Sequence, residues 1–100
     1  MRLTNFEIES IKKCAFDVFG KDILTYLFGS RVDDTKRGGD IDILIYGFES
    51  IDSNDLLIKK LKFLNSLKKN IGDRKIDIII SKKDDERLIV RTATNKGILL

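Results

Sequence analysis

The sequence predicts an α/β protein of the α+β type, with a small mixed β-sheet and helices packed on one face of it. Three observations lead to this class: apolar residues at helical spacing in three segments, three short runs rich in β-branched residues, and a polar loop between the first two runs. The loop allows antiparallel pairing of the first two strands, whereas a helix between the second and third requires a parallel crossover. The predicted order is α-β-β-α-β-α, in a single domain over residues 1–100.

The first helix is predicted to begin at a capping box. Thr4 and Glu7 have the spacing at which each side chain can bond the backbone N–H of the other residue. Apolar residues then recur at helical spacing, and Gly20 is placed to end the helix. The recurring residues, which should face the core, are Ile8, Ile11, Ala15 and Val18.

Three runs with the composition of strands follow, and the first two are separated by polar sequence. The strands are predicted over residues 23–28, 40–46 and 75–80. Residues 30–39 are polar and end in two glycines, so they are predicted to form a loop.

The second and third helices occupy the rest of the chain. The second is predicted over residues 54–71, ending at Gly72. Its apolar stripe is predicted to contain Leu57, Leu61, Leu64 and Ile71, with Leu56, Phe63 and Leu67 flanking it. The third is predicted to open at a second capping box, Ser81 with Asp84, and to end at Gly97. Its inward residues are predicted to be Leu88, Ile89 and Ala93.

The apolar tail after the third helix, residues 98–100, has two interpretations that remain open. In the first, residues 87–100 form an interface with a second copy or with a helical partner, because an exposed apolar patch is commonly an interaction site. In the second, the tail packs back against the first helix and completes the core.

Composition excludes several kinds of chemistry. The chain has no His and one Cys, Cys14, which excludes a Ser-His-Asp triad, an HExxH zinc site, an internal disulfide and any multi-Cys metal cluster. Catalysis by this chain must therefore use carboxylates, hydroxyls, Lys, Arg or a hard metal ion.

Charge and hydropathy point away from nucleic acid and membrane partners. The net charge is +3, and the lysines of the second helix segment fit a solvated helix face better than a nucleic-acid interface. No apolar run approaches the 18 residues of a membrane span, and residues 1–10 lack the apolar core of a signal peptide. These features predict a cytoplasmic protein.

Three carboxylates on the predicted strands are the candidate site. Asp40 and Asp42 are two residues apart in a strand, so both side chains point to the same face, and Asp77 repeats the pattern on the third strand. Carboxylates that share a site need a counter-ion, and oxygen ligands without His or Cys suit Mg²⁺ or Mn²⁺. An Asp-x-Asp pair can also be a simple polar rim, but Gly29-Ser30 at the end of the preceding strand favours a phosphate site.

These motifs resemble those of the nucleotidyltransferase superfamily that includes DNA polymerase beta. The pattern is an apolar residue before Gly-Ser, a gap, and Asp-apolar-Asp-apolar, read here as Phe28-Gly29-Ser30 and Asp40-Ile41-Asp42-Ile43. Asp77 matches the third carboxylate of the family, and the Gly-Ser-Arg start resembles the minimal nucleotidyltransferases of bacteria and archaea. The sequence departs from them at Val32-Asp33-Asp34 and at Gly39, which precedes the first Asp.

The resemblance implies transfer of a nucleoside monophosphate, AMP from ATP, to an acceptor hydroxyl. It implies that Asp40, Asp42 and Asp77 hold two Mg²⁺ or Mn²⁺ ions, and that Gly29, Ser30 and Arg31 bind the triphosphate. It also implies an antitoxin role, in which the acceptor is a tyrosine of a helical HEPN-type toxin.

Two alternatives remain open from the sequence. The chain could silence a toxin by contact alone, without catalysis. It could also be a haloacid-type phosphatase, although that family needs Thr or Val where Leu44 stands and leaves Gly29-Ser30 unexplained. Whether the chain forms a homo-oligomer is open as well.

Overall fold

The computed structural model describes residues 3–29, 41–72 and 74–100 of the chain. The predicted order of elements is confirmed, with one short strand added at its end. The predicted loop over residues 30–39 lies outside the described residues. The elements are α1 (Asn5–Phe19), β1 (Leu24–Phe28), β2 (Ile41–Tyr46), α2 (Ser53–Ile71), β3 (Ile76–Ser81), α3 (Leu88–Lys96) and β4 (Ile98–Leu99).

The described strands form one mixed sheet in the order β3-β2-β1-β4. β1 pairs antiparallel with β2, and β2 pairs parallel with β3, as the loop and the helical crossover predict. β4 pairs antiparallel with β1, and the Leu100 N–H donates to the Thr25 carbonyl over 2.9 Å. The apolar tail therefore packs back, as one interpretation expected: it pairs with β1, and Leu100 packs against the main core, to which α1 also contributes.

The main core lies between one face of the sheet and the helices α1 and α2. Ile41, Ile43 and Ile45 are fully buried on that face, which confirms the alternation predicted for the second strand. They belong to one buried cluster with residues of both helices, including Ile11, Ala15, Phe63 and Leu67. This packing fixes β2, the strand that carries Asp42.

The capping box of α1 is confirmed, and it is tied to the start of β3. The Thr4 N–H donates to Glu7 Oε1 over 3.0 Å, and the Glu7 N–H donates to Thr4 Oγ1 over 3.1 Å. The second carboxylate oxygen of Glu7 lies 2.7 Å from Arg74 Nη1. Since Arg74 lies two residues before β3 begins at Ile76, this ion pair joins the first turn of α1 to the segment that leads into the strand carrying Asp77.

The inward face of α2 matches the prediction in part. Phe63 and Leu67, which were predicted to flank the stripe, are fully buried, and Phe63 packs edge-on against Phe19. Leu64 and Ile71 of the predicted stripe pack against the main core as partly buried residues. Leu57 and Leu61 are about half exposed, at 56% and 48%. The buried face is therefore rotated from the predicted stripe towards Phe63, which leaves a second apolar face on the helix.

The start of α3 was predicted wrongly, and of its predicted inward residues only Ala93 is buried. Ser81 is the buried last residue of β3, and the cap of α3 is Arg87, with no side-chain hydrogen bond. The buried residues of α3 are Val90 and Ala93, while Leu88 and Ile89 are exposed.

The position of α3 corrects the expectation that all helices lie on one face. Val90 and Ala93 pack against Leu44, which points away from the main core. The sheet therefore has α1 and α2 on one face and α3 on the other. No helix in the described part of the chain is long and apolar enough to cross a bilayer.

Candidate functional site

Two of the three predicted carboxylates are neighbours in the folded chain. Asp42 and Asp77 are register partners in the parallel pair β2–β3, and each is the second residue of its strand. Neighbouring strands lie about 4.8 Å apart, so the two side chains rise side by side from the face opposite the main core. Asp42 is half-buried and Asp77 is exposed. The pair lies at one end of the sheet, and it is accessible to solvent from the side of Asp77.

Gly29 presses against this pair from the end of β1. Its φ is +76°, a left-handed conformation that favours glycine, and Phe28 before it is the register partner of Asp42. A Cβ built on Gly29 would overlap the carboxylate oxygen Oδ2 of Asp42 and lie 2.9 Å from its Cγ. Only glycine lets the backbone come this close to the carboxylate. The Gly-Ser motif and the Asp-x-Asp motif are thus brought together by the β1–β2 pairing.

The arrangement fits a hard divalent cation. Two carboxylates on adjacent strands repel one another unless positive charge is placed beside them. Their oxygens are the donors that Mg²⁺ and Mn²⁺ prefer, and Gly29 keeps the space beside Asp42 free of a side chain. Among residues 3–29, 41–72 and 74–100, no group of three metal-binding side chains is found. The third predicted carboxylate, Asp40, lies outside that set, as do Ser30 and Arg31.

Phe28 is a contributor to the site whose role the sequence pattern did not define. It is half-buried and packs with the second core cluster, formed around Leu44 and Val90. Because Phe28 pairs with Asp42 across the two strands, both residues lie on the face of the sheet opposite the main core. The sequence pattern included Phe28 as the apolar residue before Gly29 but did not indicate this packing.

A cavity elsewhere in the molecule does not include the predicted site. It has a volume of about 440 Å³ and lies at the far end of β3, between Phe48, Leu56 and Ser81. The carboxylate pair lies at the other end of the same strand.

A mixed sheet that aligns strand carboxylates beside a tight glycine turn is suited to metal-assisted transfer of phosphoryl or nucleotidyl groups. Comparison with protein families agrees with this class. Residues 9–100 match the family described as Polymerase beta, Nucleotidyltransferase, so the chain belongs to that family. Its function is of the nucleotidyltransferase type, and the family generally uses a divalent metal and a nucleoside triphosphate. No curated protein matches the chain.

Proposed function

We propose that this chain transfers AMP from ATP to an acceptor hydroxyl and releases pyrophosphate, with Mg²⁺ or Mn²⁺ as the metal. The observation that carries the proposal is the alignment of Asp42 with Asp77 beside Gly29. Family membership supports the type of reaction. A haloacid-type phosphatase is disfavoured, because that reaction has no use for the Gly29 turn or for Asp77.

In this proposal the carboxylates bind the metal ions, and the residues that follow β1 bind the triphosphate. Asp40 and Asp42 would hold both metal ions, and Asp77 would help to hold one of them. The metal, when bound, supplies positive charge that offsets the charge of the triphosphate. Gly29 and Ser30 would bind the β- and γ-phosphates, with Arg31 beside them.

Because Asp77 is exposed, its carboxylate can act on the acceptor hydroxyl in the transfer step. The acceptor oxygen attacks the α-phosphorus, the bond from that phosphorus to the pyrophosphate oxygen breaks, and pyrophosphate leaves. The proton of the acceptor hydroxyl passes to the Asp77 carboxylate and then to water. Because Asp77 is exposed at the edge strand, a hydroxyl carried by another macromolecule can reach it.

The proposed acceptor is a tyrosine of a small helical HEPN-type toxin, which this chain would silence as its antitoxin in the cytoplasm. The resemblance of the Gly29-Ser30 and Asp motifs to minimal nucleotidyltransferases supports this partner. The absence of His and the single Cys fit chemistry that uses carboxylates alone.

The test is transfer of label from ATP labelled at the α-phosphate to the product of the neighbouring gene. We expect label on a tyrosine of that protein with the wild-type chain and with Asp17→Asn, a matched control at an exposed residue of α1. We expect at least a hundredfold less label, about the loss typical of a removed acid–base group, with Asp77→Asn. Full silencing of the partner by Asp77→Asn, without label, would support neutralisation by contact instead.

A further inference from the structure

The second apolar face of α2 is unexplained by the fold and by the transfer reaction. Leu57, Ile58 and Leu61 are 56%, 51% and 48% exposed, although α2 already buries Phe63 and Leu67 against the sheet. Their spacing of one, three and four residues places them together on one side of the helix. We call these three residues the outer stripe. It lies on the helix layer, on the side of the sheet opposite to the carboxylates.

The charges around the outer stripe have one sign. From Leu56 to Gly72 the chain carries five lysines and no Asp or Glu. Lys60 and Lys62 are exposed and flank the stripe at neighbouring helical positions. Asp52 and Asp55 lie at the start of α2, where Asp52 accepts from the Asp55 N–H over 2.8 Å to cap the helix. The surface is therefore apolar in the middle, basic along its length and acidic at one end.

We propose that the outer stripe docks an amphipathic helix of another protein, whose apolar row is flanked by acidic residues. Helices that lie in grooves present apolar residues at three- and four-residue spacing, which matches the spacing of Leu57, Ile58 and Leu61. Acidic flanks complement Lys60 and Lys62. This docking is independent of the proposed transfer, because the stripe and the carboxylates lie on opposite faces of the sheet.

Two other occupants fit the charges less well. A second copy of the chain would place the lysine flanks of two α2 helices against each other, and like charges across an interface cost binding energy. A membrane surface of anionic lipid would attract the lysines but repel Asp52 and Asp55 at the start of the same helix. An acidic amphipathic helix with basic residues at the end that lies near Asp52 avoids both the repulsion between lysines and the repulsion of Asp52 and Asp55.

The test is a selection from a displayed library of amphipathic helices. The apolar row of each helix is fixed, and the flanking positions vary among Glu, Gln and Lys. We expect the wild-type chain to enrich helices with Glu flanks. The affinity of a selected peptide, measured by fluorescence anisotropy, should fall at least about tenfold with Leu57→Ser/Leu61→Ser and with Lys60→Glu/Lys62→Glu. Lys-flanked helices should bind the second variant better than they bind the wild type.

The control is Leu88→Ser, which removes an apolar side chain that is 79% exposed on the other face of the sheet. It should leave peptide affinity unchanged. All variants should stay folded, with thermal midpoints close to that of the wild type, because each replaced side chain is about half exposed or more. Enrichment of Gln or Lys flanks, or unchanged affinity with Leu57→Ser/Leu61→Ser, would overturn the proposal. So would a dimer in sedimentation that Leu61→Ser dissociates, or binding to phosphatidylserine vesicles without any selected helix.

Discussion

Gly29 and Asp42 are packed against each other in the folded chain although twelve residues separate them in sequence. The glycine was predicted to let the backbone approach a ligand. The structure shows that it also lets the backbone approach the carboxylate that would hold the metal, since a Cβ there would overlap Asp42 Oδ2. The Gly29 turn and the Asp42 carboxylate are therefore packed against each other, and a change at Gly29 should act through Asp42.

We expect Gly29→Ala to be destabilising and to weaken the effect of metal. The left-handed conformation alone costs a non-glycine residue about 1–3 kcal/mol of stability. Gly20 is the matched control, because its φ is +90° and no described atom lies within 4 Å of a Cβ built there. Both alanine variants should lower the thermal midpoint, but only Gly29→Ala should also reduce the rise in midpoint that Mg²⁺ produces in the wild type. An equal Mg²⁺ response in the two variants would mean that Gly29 is only a turn.

The charge of Asp77 should destabilise the fold when no metal is present. Register partners of like charge on neighbouring strands cost about 0.2–1 kcal/mol. In EDTA, Asp77→Asn should therefore unfold at a higher temperature than the wild type. In Mg²⁺ the wild type should gain more stability than the variant. Thermal melts of both, with Asp17→Asn as the control, measure this, and a lower midpoint for Asp77→Asn in EDTA would contradict it.

For single residues, the sequence predicted which face of the sheet a side chain lies on, but not which residues lie beside it. The alternation of a strand was enough to place Asp42 on the face opposite Ile41 and Ile43. The register that puts Asp42 beside Asp77 depends on how the crossover through α2 positions β3, and no local pattern specifies that.

Among the elements, α1 is the one most completely determined by local sequence. Its capping box, its apolar spacing and its end at Gly20 are all confirmed. The ion pair between Glu7 and Arg74 was not predicted, because it joins residues far apart in the chain. Local sequence identified the capping box. Only the tertiary structure shows that its Glu7 also forms an ion pair with Arg74, just before β3.

We expect Glu7→Ala to be far more costly than Glu9→Ala. Oε1 of Glu7 accepts from the Thr4 N–H, and a hydrogen bond to a charged group contributes about 1.5–3 kcal/mol when it is shielded from water. Oε2 of the same largely buried carboxylate forms an ion pair with Arg74, so removing the side chain also leaves that guanidinium without its partner. Glu9 is exposed and 3.9 Å from Lys12, so its loss should change stability by less than about 0.5 kcal/mol. Urea denaturation measures both, and equal effects would show that the Arg74 pair contributes nothing.

The start of α3 and part of the inward face of α2 were predicted wrongly, and each error has an identifiable reason. Ser81 and Asp84 have the spacing of a capping box, but Ser81 continues β3 and Asp84 sits in a left-handed turn with φ +63°. In α2 both Leu57 and Phe63 begin plausible stripes, and periodicity alone does not decide between two apolar faces. Packing decided it, since Phe63 and Leu67 reach the sheet.

The loop between β3 and α3 should carry a small acid sensitivity. Side-chain and backbone hydrogen bonds from Arg87 hold the pKa of Asp85 below its ordinary value. The ionised carboxylate therefore stabilises the fold above its unfolded pKa, and this contribution is lost as the pH falls through the folded pKa. Asp85→Asn should be less stable than the wild type at neutral pH, and the difference should vanish in strong acid. A difference that stays constant with pH in urea melts would contradict this.

The two faces of the sheet are covered differently. The main core, with α1 and α2, fills one face, and α3 covers part of the other while leaving Asp77 exposed. The α+β class was predictable because each element has its own signal in the sequence. The side taken by α3 was not, since its helix exposes Leu88 and Ile89 and buries the smaller Val90 and Ala93.

The carboxylates beside Gly29 are proposed to bind a metal-complexed triphosphate. Calorimetric titration of the chain with ATP, with and without Mg²⁺, measures this binding most directly. We expect binding that requires Mg²⁺, persists in Asp17→Asn and weakens at least about tenfold in Asp42→Asn, because the remaining carboxylates then carry one negative charge less toward the metal. Equal affinity for Mg²⁺-ATP in Asp42→Asn and in the wild type, with both chains folded, would contradict the claim.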